Sequence, residues 1–229
     1  MTCRFDEVAF AGVEHLDPDY VATYDRKAGF DPCDDVALLR ELGLDERGTL
    51  VDLGAGTGTL ALAAAPHCER VVAVDVSAAM VAVIRAKVAA LGLGNVECVQ
   101  AGFLSYEHSG ARADVVYSRN ALHHLPDFWK AIALDRIARL LRPHGLMRLR
   151  DIVFDFDPSQ SRRFLAEWLD GAVESPHHGW TRAELESHLR EEHSTFTWLL
   201  EPMLRRAGFE LRSVEHRLRV YADYVCVRR

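Results

Sequence analysis

Apolar positions along the chain follow two periods in alternation. Thr49–Leu53 is a short apolar run ending in glycines, and Arg70–Asp75 is a β-branched run; both predict strands. Val96–Gln100, Ala113–Ser118 and Leu146–Val153 read the same way. Between them lie stretches with helical spacing. Asp34–Leu42 follows Pro32 and stops at Gly43, and Thr57–Ala65 is alanine-rich up to Pro66. Ala78–Leu91, which Ser77 can cap and Gly92 ends, is apolar on nearly every face except Arg85 and Lys87, as suits a helix packed on a sheet. Pro126–Leu141 places Phe128, Ile132, Ile137 and Leu140 on one side and Asp135, Arg136, Arg139 and Arg142 on the other. Such alternation means parallel strands joined by right-handed crossovers. Phe209–His216 and Leu218–Val227 both read as strands with no room for a crossover helix, so they must pair antiparallel. The expected fold class is α/β: a doubly wound, mostly parallel seven-stranded sheet with an antiparallel last strand.

Between the fifth strand and this hairpin lie residues 155–207, too many for a simple connection. They carry Pro158, Pro176 and Pro202, helical patterns at 159–170, 181–192 and 197–207, and Trp168, Trp180 and Trp198. An insertion there leaves the sheet at the carboxyl ends of the strands, where open α/β folds bind ligands, so a lid is expected. The chain is expected to be a single domain over 1–229. Its parts are an N-terminal helical cover at 1–47, a cofactor-binding core at 48–154, the helical lid at 155–207 and the hairpin at 208–229.

Composition narrows the partners. With 229 residues, 49% of them hydrophobic and 27% charged, the chain is an ordinary soluble one able to bury a core. Apolar stretches such as Leu60–Ala65 and Val71–Val74 are far shorter than the ~20 residues of a membrane span, so no membrane partner is expected. Met1–Glu7 has acidic residues and no apolar core of a secretory signal. A net charge of -7 disfavours nucleic acid, RNA included. The seven Arg in 205–229, against Glu210, Glu215 and Asp223, read as solvated strand edges. Cys3, Cys33, Cys68, Cys98 and Cys226 are odd in number, with no C-x-x-C, and read as reduced thiols of a cytoplasmic protein.

The chemistry concentrates in Val51-Asp52-Leu53-Gly54-Ala55-Gly56-Thr57-Gly58-Thr59-Leu60, a strand running through glycines into a helix. Glycines allow the tight turn and let a ligand approach bare backbone. Asp75 ends the second strand 23 residues after Asp52, where a carboxylate can accept both hydroxyls of a ribose. The pair specifies an adenosine-type ligand. A dinucleotide fingerprint wants glycine at the sixth position from Gly54, which is Thr59 here. Asp52 would repel a pyrophosphate and attract a cation such as a sulfonium. S-adenosylmethionine is favoured over NAD.

The sequence resembles class I S-adenosylmethionine-dependent methyltransferases of the small-molecule type. Four blocks within about 50–150 carry the resemblance: Val51–Gly58; Val74-Asp75-Val76-Ser77 with Met80; Asp114–Leu125 with its Leu-His-His-Leu; and Leu140–Leu146. It implies a Rossmann-like fold and methyl transfer to a small-molecule acceptor. It places Gly54, Ala55 and Gly56 against the methionyl and ribose parts of the cofactor, Asp75 on the ribose, and Val76 and Met80 beside the adenine. Ser118-Arg119-Asn120 would lie near the amino-acid end. Where the family often has an acidic residue by the adenine amino group, Ala101-Gly102-Phe103 stands, with Phe103 free to stack. Pro143-His144-Gly145 replaces the usual Pro-Gly-Gly.

In-line methyl transfer needs alignment and exclusion of water, and a base only when the acceptor arrives protonated. His123 or His124, after the fourth strand, is placed to act as that base, His123 the better candidate; packing or capping is the bland reading of both. Asp151, at the end of the fifth strand, would bind an acceptor or pair with Arg148 or Arg150. Of the group His177, His178, His188 and His193, the last two are five apart, which is not one helix face, and no cysteine joins them, so no metal is expected. Trp168, Trp180, Phe196 and Trp198 would line an acceptor pocket or fill the core of the insertion. Tyr20, Tyr24 and Lys27 lie in the segment that covers the cofactor in this family, where Lys27 or a tyrosine hydroxyl would meet the cofactor carboxylate, with a surface role favoured. Two other functions remain compatible: a nucleotide-linked oxidoreductase, disfavoured by Thr59 and Asp52, and a catalytically inactive cofactor-binding interaction protein. A monomer or a homodimer is expected, and the acceptor is not encoded in the fold.

Overall fold

A computed structural model describes residues 5–229, the side chain of Val13 excepted; Cys3 and the opening Met1–Arg4 lie outside the described residues. Eight strands form: β1 Thr49–Leu53, β2 Arg70–Asp75, β3 Val96–Gln100, β4 Ala113–Arg119, β5 Leu141–Phe154, β6 Thr195–Phe196, β7 Phe209–Arg217 and β8 Tyr221–Arg228. The main order is β3-β2-β1-β4-β5-β8-β7. β1 to β5 are parallel neighbours, and β8 runs antiparallel to both β5 and β7. The order reverses between β1 and β4, and a crevice opens at their carboxyl ends.

The first three strands have the bounds that periodicity predicts. Beyond shifts of one or two residues at other element ends, three details differ, each for a local reason. β5 begins at Leu141, not Leu146, because the pairing slips between Ala113 and Val115 and loops out 142–145. β8 begins at Tyr221 because Leu218 and Arg219, at φ 53° and 56°, form the hairpin turn; Leu218 is 74% exposed. β6, absent from the seven-stranded expectation, is a two-residue strand parallel to Val153–Phe154. A run that short has no period to read.

Helices cover both faces. One apolar cluster gathers Val51, Val116, Leu134 and Tyr224; the other gathers Leu50, Ile84, Val115 and Tyr117. Neighbouring strand residues fall in opposite clusters, the two-residue alternation of a sheet buried on both sides. A third cluster of Phe154, Phe156, Trp168 and Val220 lies under the insertion. Below the second cluster a charged group is buried. Asp35 accepts from Tyr117 Oη at 2.8 Å and pairs with Arg148 and Arg150, while Asp223 pairs with Arg148, Arg150 and Arg217.

The insertion is stitched to the core. His193 N donates to His123 O at 2.9 Å, the buried Lys130 ammonium donates to His193 O, and Thr195 Oγ1 donates to Asp127 Oδ2 at 3.1 Å. Among the described residues, no helix is long and apolar enough to cross a membrane.

Candidate active site

The glycine turn after β1 builds the floor. Gly54 and Gly56 have φ 74° and 56°, and a Cβ at Gly54 would stand 2.3 Å from Ala121 Cβ. Only glycine meets both demands. Gly54 N and Ala55 N donate to Val74 O at 2.9 and 3.0 Å, tying the turn to β2. Asp75, at the end of β2, accepts from Gly56 N at 2.8 Å and from Ser77 N at 2.9 Å. Burial raises its carboxyl pKa, and these hydrogen bonds work against that rise. Each carboxylate oxygen keeps a lone pair for a ligand. Asp52 is buried one strand away, and burial, then the charge of Asp75, push it up to about 8.

A cleft of about 680 Å³ opens on this floor. Of the residues expected to bind cofactor, Gly54, Gly56, Asp75, Val76, Met80, Gly102, Phe103, Arg119 and Asn120 line it. Asp52 and Ala55 line an adjoining cleft of about 980 Å³, which shares Tyr24, Gly54, Gly56, Arg119 and Asn120 with the first. Sequence reasoning missed Glu7, Ala11 and His15, which line the first cleft, while Ser77, Ala121 and Leu125 line it from within the blocks that carried the resemblance and Ala101 from the stretch Ala101-Gly102-Phe103. Glu7 stands where the family's acidic residue is missing. Its carboxylate accepts from Leu104 N and Ser105 Oγ, and a Cβ on Gly102 would come within 2.3 Å of it. No local signal marks a carboxylate arriving from 95 residues earlier in the chain.

The N-terminal cover is pinned over the glycine turn. The helix Tyr24–Ala28 carries Asp25, which accepts from Thr57 Oγ1 and pairs with Lys87, and Tyr24 faces the cleft. Lys27 is not a surface residue. It is 6% exposed, paired with Glu184 of the insertion, and its ammonium lies 4.9 and 4.5 Å from the ring centroids of Tyr20 and Trp180.

The two histidines after β4 separate in role. His123 is 5% exposed and absent from the cleft lining; its Nδ1 meets Asp151 and its Nε2 lies 2.9 Å from Glu192. Burial favours the neutral ring, but Asp151 and Glu192 outweigh it and raise its pKa to about 9. With Nδ1 hydrogen-bonded to Asp151 and Nε2 facing Glu192, the ring takes the packed, hydrogen-bonded arrangement and does not line the cleft. Asp151 in turn pairs with His123 rather than with Arg148 or Arg150. His124 lines the cleft; burial and the charge of His123 hold it well below its ordinary value. Its Nδ1 and the Tyr20 hydroxyl are buried with no hydrogen-bond partner among the described residues.

Of the histidines in the insertion, His188 comes closest to this group. Its ring is 5.0 Å from that of His123, and its Nδ1 is 2.6 Å from Glu192. Burial alone would raise the Glu192 carboxyl, but His123 and His188 hold it far below the usual range. Trp168 packs in the third cluster, and Trp198, 57% exposed, stacks on Phe196; only Trp180 reaches a cleft residue, Tyr24 at 6.5 Å.

Comparison with known proteins decides what this crevice belongs to. Residues 50–145 match the family described as a methyltransferase domain. The uncharacterized methyltransferase YcgJ of Bacillus subtilis is 32% identical over 109 residues, covering 48% of this chain and 42% of that protein. The chain thus spans under half of that relative's length. The uncharacterized methyltransferase YrrT of the same organism is 25% identical over 213 residues, covering 82% of this chain and 95% of the relative. Over residues 50–145 the chain is therefore similar to methyltransferases, and it resembles the class I S-adenosylmethionine-dependent methyltransferases. Its fold agrees: the magnesium protoporphyrin IX methyltransferase of Synechocystis PCC 6803, solved with bound S-adenosylmethionine, superposes over 100% of both chains with TM-score 0.64 at 15% identity.

The Synechocystis enzyme binds S-adenosylmethionine, and the crevice of this chain can be tested against that group. Its residues fit that group. The backbone at Gly54 and Gly56 is bare toward the cleft, and the Asp75 carboxylate lines that same cleft.

Proposed function

We propose that this protein uses S-adenosylmethionine to methylate a small-molecule acceptor held between the N-terminal cover and the 155–207 segment. The observation that carries the reading is the joining of two clefts at Gly54–Gly56. The unpartnered Nδ1 of His124 belongs to a residue lining the first cleft, and the unpartnered Tyr20 hydroxyl to a ring 6.2 Å from that of Tyr24, which lines both. When bound, the cofactor supplies an electrophilic methyl on a sulfonium. Asp75 takes the ribose hydroxyls, and Val76, Met80 and Phe103 flank the adenine. Glu7 accepts from the adenine amino group in place of the missing acid after β3, and Arg119 and Asn120 meet the amino-acid end. His124, facing the cleft, accepts a hydrogen bond from the acceptor. His123 and Asp151 position the turn that carries it. The cover and the insertion exclude water, which strengthens each of these contacts. A cytoplasmic setting suits the described cysteines, Cys33, Cys68, Cys98 and Cys226, all free.

The test is methyl transfer from labelled S-adenosylmethionine to cell extract separated by dialysis. Label in the dialysable fraction supports the reading; label confined to macromolecules refutes it. Glu7→Ala should weaken S-adenosylhomocysteine binding by roughly tenfold, the cost of one hydrogen bond to a charged group, measured by calorimetry. Unchanged affinity would remove Glu7 from the adenine site.

Asp52 makes binding pH-dependent. Its carboxyl is largely protonated below about pH 8 in the free protein, held so by burial, by Asp75 and by Asp35. A sulfonium nearby favours the carboxylate, so binding releases a proton. Affinity for S-adenosylmethionine should therefore rise between about pH 6 and 8, by at most tenfold per unit, and level off above. S-adenosylhomocysteine, a neutral thioether, should show a shallower slope. Parallel slopes in calorimetric titrations would show that Asp52 does not face the sulfur.

A further inference from the structure

We propose that His123 Nε2, His188 Nδ1 and the Glu192 carboxylate form a binding site for a divalent metal ion of the zinc class. These three ligand atoms lie within 4.8 Å of one another. Glu192 Oε2 stands 2.9 Å from His123 Nε2 and 2.6 Å from His188 Nδ1, yet neither contact is aligned as a hydrogen bond, and this oxygen has no hydrogen-bond partner among the described residues. Misaligned donors crowding one carboxylate are the arrangement expected of atoms aimed at a shared point.

The outer contacts point the same way. The far nitrogen of each imidazole is held by an oxygen: Asp151 Oδ1 at His123 Nδ1, and Ser194 Oγ at His188 Nε2, 2.7 Å away. Histidines that bind metal almost always have their second nitrogen fixed in this way, which sets ring orientation and the ligating tautomer. The supports are rigid. His188 lies in the helix Arg182–Glu191 and Glu192 caps it, Glu192 N donating to His188 O at 3.0 Å, and the next residue is strapped to the core by His193 N to His123 O and by Lys130 to His193 O.

Two imidazoles and one carboxylate make the nitrogen–oxygen set of zinc and its neighbours; magnesium and calcium prefer oxygen alone. Tetrahedral ligands at about 2.1 Å from an ion stand about 3.4 Å from one another, so the carboxylate, now 2.9 and 2.6 Å from the two nitrogens, needs to withdraw by roughly 0.5–0.8 Å. The fourth position lies toward His124, whose unpartnered Nδ1 is 3.9 Å from the same oxygen and whose ring lines the cleft. An ion here ties the turn after β4 to the insertion at the edge of the active site. This site does not depend on the nature of the methyl acceptor.

The experiment strips the full-length chain with chelator and titrates it with Co²⁺, then Zn²⁺, following visible absorption and calorimetry. One equivalent of Co²⁺ should bind with d–d bands of a nitrogen–oxygen site, and Zn²⁺ should displace it. His188→Ala and Glu192→Gln should each weaken Zn²⁺ binding by on the order of 100-fold. The double change His177→Ala with His178→Ala, on the exposed part of the insertion, should leave it unchanged. Circular dichroism of each metal-free variant checks the fold, and His188→Gln replaces His188→Ala should the latter not fold. Absence of stoichiometric Co²⁺ binding overturns the proposal. So does binding that survives in folded His188 and Glu192 variants, or that is lost with His177 and His178.

Discussion

Asp75→Ala is expected to abolish measurable binding of S-adenosylhomocysteine. In the proposed role the carboxylate accepts both ribose hydroxyls, and hydrogen bonds to a charged group contribute about 1.5–3 kcal/mol each. Losing two weakens affinity by roughly 10²–10⁴-fold. The same side chain braces the pocket through Gly56 N and Ser77 N, so its removal also frees the glycine turn and the start of the helix Ala78–Leu91. Asp75→Asn separates the two effects. It keeps the shape but turns an amide N–H toward one of those backbone donors, and should still lose on the order of tenfold or more. Calorimetry reads the affinity and thermal melting the fold. Affinity within a few-fold of wild type in a folded Asp75→Ala protein would contradict the ribose role.

The second large effect is on stability. Asp35→Ala should destabilise the protein by about 3–5 kcal/mol, because it leaves Arg148 and Arg150 buried with Asp223 as their remaining acidic partner and orphans the Tyr117 hydroxyl. Burial favours the neutral form of Arg150, and Asp35 is the main contact that outweighs it and raises the pKa. For a chain of 229 residues the loss corresponds to a melting temperature lower by roughly 6–20 °C. Denaturant unfolding should show a lower midpoint with an unchanged slope. A change below about 1 kcal/mol would mean that water reaches the two guanidinium groups and screens them.

Local pattern was enough for most of the architecture. Apolar runs of strand length set β1, β2 and β3 to the residue, and the short gap before β8 forced the antiparallel hairpin. The glycine turn and Asp75 were equally legible, because a positive φ, a capping serine and a strand-end carboxylate are requirements met within a few residues. Where the chain misled was in the direction of single side chains. His123 and His124 are adjacent in a 3₁₀ turn, whose three residues per turn send neighbours about 120° apart. One ring goes to Asp151 and Glu192, the other to the cleft. Lys27 reads as a surface residue until Glu184, 157 positions later, is folded against it. Glu7 carries no signal until Gly102 leaves room for its carboxylate. Elements follow from the periods and turn residues of contiguous chain, since backbone hydrogen bonding within a helix or turn is local. Partners of buried charges follow from desolvation, which only the packed whole imposes, so the fold was written along the chain and the chemistry of its site across it.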